Sequence, residues 1–263
     1  MNLFIRELKA HKKALLIWCV SIALLITSGM AKYSGYAAGG TNIFLQSIPY
    51  SLRALLGFGN FDATTFSGFY AILFSYIELT AALHATLLGA SILSKEERDK
   101  TAEFLMSKPV SRKKILTAKL AAGLTNVFVV NIVSFAASVA VAEAKSAGSQ
   151  IIAQMAVFCI SMLCVQLIFY AIGSISAVCL KKPRSSGSFA TGILFAAFAL
   201  AKITDIFNKI NILNMLSPFK YFDIVRLEAG SGIDGISLLF SLALSGIFFV
   251  FTYIFYEKRD LCL

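Results

Sequence analysis

Two ionisable side chains, Glu78 and His84, interrupt the apolar run from Ala63 to Leu93, and an ionisable group in such a run is a functional candidate by default. A carboxylate there can line a polar substrate path or relay protons, or it can pair with a hydroxyl or lysine of a neighbouring helix. His84 follows six positions later, about 120° around a helix, so the two do not make a shared proton site. Hydrogen-bonded packing is the expectation for His84. The second concentration of chemistry is the segment from Ser94 to Leu120, SKEERDKTAEFLMSKPVSRKKILTAKL, with eight basic and four acidic residues. None of these groups falls into a hydrolytic pattern: H-E-x-x-H, G-x-S-x-G and a Ser/His/Asp spacing are all absent. There is no C-x-x-C or Cys/His cluster for a metal and no G-x-x-x-x-G-K-[ST] phosphate loop. The catalytic, cofactor and metal sites of this chain are therefore expected to be none.

The elements that position these residues follow from composition. Of 263 residues, 58% are hydrophobic and 14% charged, and the mean hydropathy is +0.78, far from the usage of soluble domains. Apolar stretches occur at 14–31, 63–93, 120–142, 146–180, 185–201 and 235–256. About 20 such residues cross a hydrocarbon core as a helix, and none of the runs alternates as barrel strands do. The expected fold is an all-α membrane protein with six transmembrane helices in a single transmembrane domain, residues 1–263. The first helix, although signal-like, is expected to stay uncleaved. Seventeen of the 24 Lys and Arg residues fall in segments on one side and seven on the other, so the positive-inside rule places both termini in the cytoplasm. Because the basic residues form juxtamembrane clusters, the net charge of +10 implies contact with membrane lipids and no nucleic acid.

Local signals divide the polar segments. Ser94 with Glu97 makes an S-x-x-E capping box, which predicts a short helix from Lys95 that stops near Ser107 because Pro109 disfavours helical geometry at Lys108. Ser111 is then placed to cap the third span. Residues 1–13 have the basic amphipathic pattern of an interfacial helix. Two outer loops remain, 32–65 and 202–234. The first contains a short helix opened by Pro49 and closed by Gly57, and the second contains the short helix NILNML. The cysteines are expected to be apolar packing residues.

The run EERDKTAEFLMSKPVSRKKILTAKL resembles the first cytoplasmic loop of ABC type-2 transporter permeases, where an acidic pair, a T-A-E-F-L core and a K-P-V-S-R corner precede the third span. The segments SIPYSLRALLGFG and LSPFKYFD and the RDL of the tail extend the likeness along the chain. The resemblance implies the membrane subunit of a bacterial ABC exporter in the cytoplasmic membrane, working as a homo- or heterodimer with a second permease subunit. A separate ABC ATPase subunit would bind the ATP and Mg and dock on a coupling helix in the 94–114 loop. Carried over, Glu96, Glu97, Thr101, Ala102, Glu103, Phe104, Leu105 and Met106 lie in or beside the ATPase groove, and Pro109, Val110, Ser111 and Arg112 form the corner that passes movement to the third span. Two rivals remain open: an ion-gradient-driven secondary transporter using Glu78, and a membrane scaffold that anchors a cytoplasmic partner. No repeat relates the two halves, and the four prolines lie in loops, whereas secondary transporters usually carry repeats and broken helices.

The charge asymmetry yields a direct test. An impermeant thiol reagent added to intact cells is expected to label Ser51→Cys but neither Lys108→Cys nor Cys262; labelling of position 108 from outside would overturn the six-span topology.

Overall fold

A computed structural model describes residues 3–37, 49–55, 57, 61–99, 110–180, 183–206 and 211–258. Six long helices dominate: α1 (Leu3–Ala31), α2 (Phe66–Arg98), α3 (Arg112–Ala144), α4 (Ser149–Cys179), α5 (Ser186–Ile206) and α6 (Gly235–Lys258). All six are long and apolar enough to cross a membrane, and there is no strand among the described residues. At 33 residues each, α2 and α3 are roughly 50 Å long, well beyond the ~30 Å hydrocarbon layer. They must project from it.

Side-chain bonds at the helix ends give the alternation of direction. At one end the start of α3 meets the end of α6, through Lys113 Nζ and a Glu257 carboxylate oxygen at 3.2 Å and the Thr117 and Tyr253 hydroxyls at 2.8 Å. We call this the basic end. At the other, Lys145 after α3 donates to the Ser34 hydroxyl beyond α1 at 2.8 Å, and Ser67 at the start of α2 donates to Gln154 near the start of α4 at 3.2 Å. The first turns of α1 and the last of α6 thus lie at the same end of the bundle as the start of α3.

The most deeply buried of the six are α2 and α4, and their contact depends on two glycines. A Cβ on Gly89 would run into the Tyr170 carbonyl and sit 3.0 Å from the Ser174 amide nitrogen; one on Gly173 would run into the Thr86 carbonyl and sit 3.0 Å from the Ala90 nitrogen. The backbones thus touch directly, the close approach that small residues permit between membrane helices. Thr86 and Ser174 turn their hydroxyls back to Ala82 and Tyr170 carbonyls of their own helices, at 2.7 and 2.8 Å, so neither leaves an unpaired donor in the contact. Either side of this crossing, Phe74 packs against Phe158 with ring centres 4.6 Å apart and planes tilted by 48°, and the Tyr170 hydroxyl donates to the Leu120 carbonyl at 3.1 Å over Gly123. Asn131 of α3 donates from one amide group to the Cys159 carbonyl and to Gln166 Oε1 of α4, at 3.1 and 3.0 Å.

Several local expectations hold. Ser111 has the extended backbone of an N-cap and its hydroxyl accepts from the Lys114 amide at 3.4 Å, so α3 starts where predicted. Pro49 precedes a short helix, Tyr50–Leu55, and Gly57 follows with φ 81°, in the region that glycine enters freely. The NILNML segment is a 3-10 helix, Asn211–Leu216. Thr65 caps α2 through the Gly68 amide at 3.1 Å. Just before it, two bonds from Thr64 hold the Asp62 carboxyl below the ordinary carboxylate range.

Two local expectations are overturned. The S-x-x-E box does not start a helix: α2 runs unbroken to Arg98, and the Ser94 hydroxyl, buried, donates to the Ala90 carbonyl at 2.7 Å. Packing of the preceding apolar turns extends the helix past the local cap signal, and a serine inside a helix then bonds backwards. Likewise 1–13 does not form a separate interfacial helix. Residues from Leu3 continue into α1 without a break, and Glu7 is buried among the other helices.

The glycine contact generates a paired prediction. Gly173→Ala is expected to lower stability by on the order of 1–3 kcal/mol, as overpacking does, whereas Gly192→Ala, with open space at its Cβ position, leaves it unchanged or slightly raised. Thermal unfolding of the two purified variants in detergent checks the contrast.

Candidate functional site

Three charged residues at the basic end, one from each of three helices, are buried together. Lys119 of α3 donates from Nζ to Glu96 Oε1 of α2 at 2.5 Å and to the Ile92 carbonyl at 2.8 Å, and the nitrogen lies 3.8 Å from Glu7 Oε1 of α1. Their side chains are 1%, 9% and 2% exposed in that order. An ammonium this deep persists only where acceptors surround it. Glu96 sits within a turn of the end of α2 and Lys119 two turns into α3, so the clamp joins the last turns of α2 to the first turns of α3. Glu7 adds α1 to the same grip.

This arrangement reassigns part of the site expected from sequence. Glu96 faces inward onto Lys119 and is not an exposed docking group; its charge is needed where Lys119 is buried. Glu97 is half-buried on the last turn of α2. Val110 is exposed, Ser111 caps α3, and Arg112 donates from Nη1 to the Glu257 carbonyl of α6 at 3.5 Å. The corner is thereby tied to the last helix as well. Thr101, Ala102, Glu103, Phe104, Leu105, Met106 and Pro109 lie outside the described residues.

Glu78 and His84 go to different cavities, one on each side of α2. Glu78, 3% exposed, faces a cavity of about 490 Å³ toward the end opposite the basic one, which also receives Ser75, Phe198, Lys202, Asp205, Lys220 and Asp223. Lys202 Nζ is 3.8 Å from Asp205 Oδ2, and Lys220 donates to Asp205 Oδ1. The lysine that shares Glu78's surroundings therefore belongs to its own chain. Lys202, which falls in an outer loop by sequence, is in the last turns of α5. His84 packs its ring against Trp18 with centres 5.5 Å apart, but Nδ1 is buried without a hydrogen-bond partner. It faces a second cavity.

Sequence reasoning missed the clamp. Lys119 stands out as a lone cation inside ILTAKLAAGL, yet its two partners are on other helices with no fixed spacing to it. Among the described residues no group of His, Cys, Asp or Glu is arranged to hold a metal.

Six apolar helices, buried charges grouped inside the bundle and polar cavities at two depths define a multi-pass helical membrane protein. The model of the ABC-2 family transporter proteins matches residues 1–261, and the chain belongs to that family as a membrane permease. No curated protein matches the chain.

The clamp can be tested by charge removal. Lys119→Met alone is expected to cost about 3–5 kcal/mol, because it strands buried carboxylates, and adding Glu96→Gln and Glu7→Gln to recover most of that loss. Unfolding midpoints of the single and triple variants measure both effects; equal destabilisation by the two would exclude an ionic clamp.

Proposed function

We propose that this chain is the permease subunit of an ATP-driven exporter in a bacterial cytoplasmic membrane, with the basic end in the cytoplasm. A separate ABC ATPase docks on the segment between α2 and α3, and two permease subunits work together. The observation that carries this reading is the family match over 1–261. The sequence supports the separate ATPase, since the chain has no phosphate loop, and the positive-inside distribution supports the orientation.

The geometry supplies a mechanism for coupling. A partner that displaces the 99–111 segment acts on two helix ends clamped to each other and to α1 by Lys119, and to α6 by Arg112 and Lys113. Such a connection moves helices as bodies. In this reading Phe104 and Leu105 anchor the docking helix, since buried apolar side chains dominate interface energetics, and Pro109 keeps that helix from continuing into the corner.

The charged cavity around Glu78 favours a second reading, ion-gradient-driven transport. The two separate cleanly in liposomes containing the permease with and without its co-purified ATPase. Transport is expected to require both ATPase and ATP and to survive collapse of the proton gradient; a pH-driven flux without ATP that disappears in Glu78→Gln would establish the second reading. Phe104→Ala with Leu105→Ala is expected to reduce ATPase co-purification about tenfold or more at unchanged permease level. Pro109→Ala should retain the ATPase but hydrolyse ATP without transport. Normal co-purification and transport by the double variant would remove the docking helix from the mechanism.

A further inference from the structure

The cavity that receives His84 is used by none of the coupling steps, and its chemistry is selective. It holds about 340 Å³, within the ~300–1,000 Å³ range of small-molecule sites. The wall formed by α2 carries His84, Ser91, Ser94 and Arg98; α1 contributes His11 and Trp18, α3 Asn126, and the turn into α5 Arg184. Among the described residues no carboxylate lines it. Glu96, close by on α2, is engaged by Lys119. Asp99 lies 3.2 Å from Arg98 Nε, which occupies one edge of that guanidinium only. Arg184 is exposed and has no acidic partner among the described residues.

The deep end is where hydrogen bonds are missing. Asn126 is 1% exposed and neither its amide nitrogen nor its amide oxygen has a partner among the described residues; His84 Nδ1, in a residue 3% exposed, and His11 Nε2 lack one there too. Buried polar groups are rarely left so. Three such side chains around one cavity, one of them with both a donor and an acceptor free, call for a ligand that can donate and accept. A phosphodiester only accepts. A hydroxyl does both. From His84 to Arg98 is 14 residues along one helix, or about 21 Å between backbone positions, which the long Arg98 side chain shortens. The cavity is thus graded: guanidinium groups at the basic end, neutral donors and acceptors below.

We propose that this cavity is a binding site for an anionic phospholipid with a hydroxylated headgroup, such as a phosphoglycerol, from the leaflet at the basic end. The phosphate lies between Arg98 and Arg184, where charge-assisted bonds are strong, and the hydroxyls reach Asn126, His84 and His11. The acyl chains leave along the apolar surfaces of α1 and α5, where Leu16, Ile17 and Phe189 are exposed. A choline headgroup would carry a quaternary ammonium past the guanidiniums to groups that call for a hydroxyl, and has none to offer. The site requires only that the chain spans a membrane and does not depend on the partner ATPase.

Trp18, the single tryptophan of the chain, lines the cavity and reports on it. The experiment titrates detergent-purified full-length protein with dibrominated phosphatidylglycerol, with dibrominated phosphatidylcholine and with soluble glycerol phosphate, following quenching or shift of Trp18 emission. Phosphatidylglycerol is expected to act saturably and at about tenfold or more lower concentration than phosphatidylcholine. Arg184→Gln, at an exposed position that should not affect folding, is expected to weaken that response about tenfold or more, and Asn126→Leu similarly, as the loss of one charge-assisted or buried hydrogen bond does. Indistinguishable curves for the two lipids, or an unchanged curve in Arg184→Gln, would overturn the site. A saturating response to glycerol phosphate at the concentrations effective for lipid would overturn the lipid assignment in favour of a water-soluble anion.

Discussion

A lysine ammonium placed 1% exposed inside a helical bundle constrains everything around it. Lys119 can stay charged there only if acceptors from other helices converge on it, and Glu96, Glu7 and the Ile92 carbonyl do so. Those contacts fix the relative height and rotation of α1, α2 and α3 at the basic end. Small axial slips would leave a charge unpaired in a poorly solvated site, so the three helices move together or not at all. Apolar packing alone sets such registers weakly, because one leucine slides past another at little cost in a lipid-like interior.

The second fixed point lies further along α2. At Gly89 and Gly173 the α2 and α4 backbones are in contact, which leaves no room for either helix to bend toward the other. From clamp through crossing and beyond, α2 is an unbroken rod that runs past both cavities. Glu78 and His84 lie on different sides of it, and so the same helix borders a cavity with charges of both signs at one depth and a cavity of basic and neutral polar groups at another. A displacement delivered at Arg98 or Arg112 therefore bears on both cavities without an intervening hinge among the described residues.

Much of this was legible in the chain. Six apolar runs gave six spans because hydrocarbon thickness and helix rise together demand about 20 residues per crossing, and Ser111, Pro49 and Gly57 marked helix boundaries through strictly local geometry. The TAEFLM and KPVSR pieces carried a family resemblance that the match over 1–261 bears out. Local signals failed where packing outweighed them. The Ser94 box was overridden when the surrounding turns of α2 were buried, and the basic amphipathic N-terminus became part of a spanning helix once Glu7 found Lys119.

By itself the sequence determined what a single segment's solvent preference and backbone chemistry can determine: class, number of spans, single helix ends such as the start of α3 after Ser111, and that Glu78 and His84 point in different directions. Only the tertiary structure decided which polar groups meet. Glu7, Glu96 and Lys119 are far apart in the chain, as are His11, Asn126 and Arg184, and no periodicity links residues on separate helices. Their partnerships come from helix packing, which depends on side-chain shape and on two glycine contacts, and the energy that makes a buried charge tolerable exists only after those helices have come together.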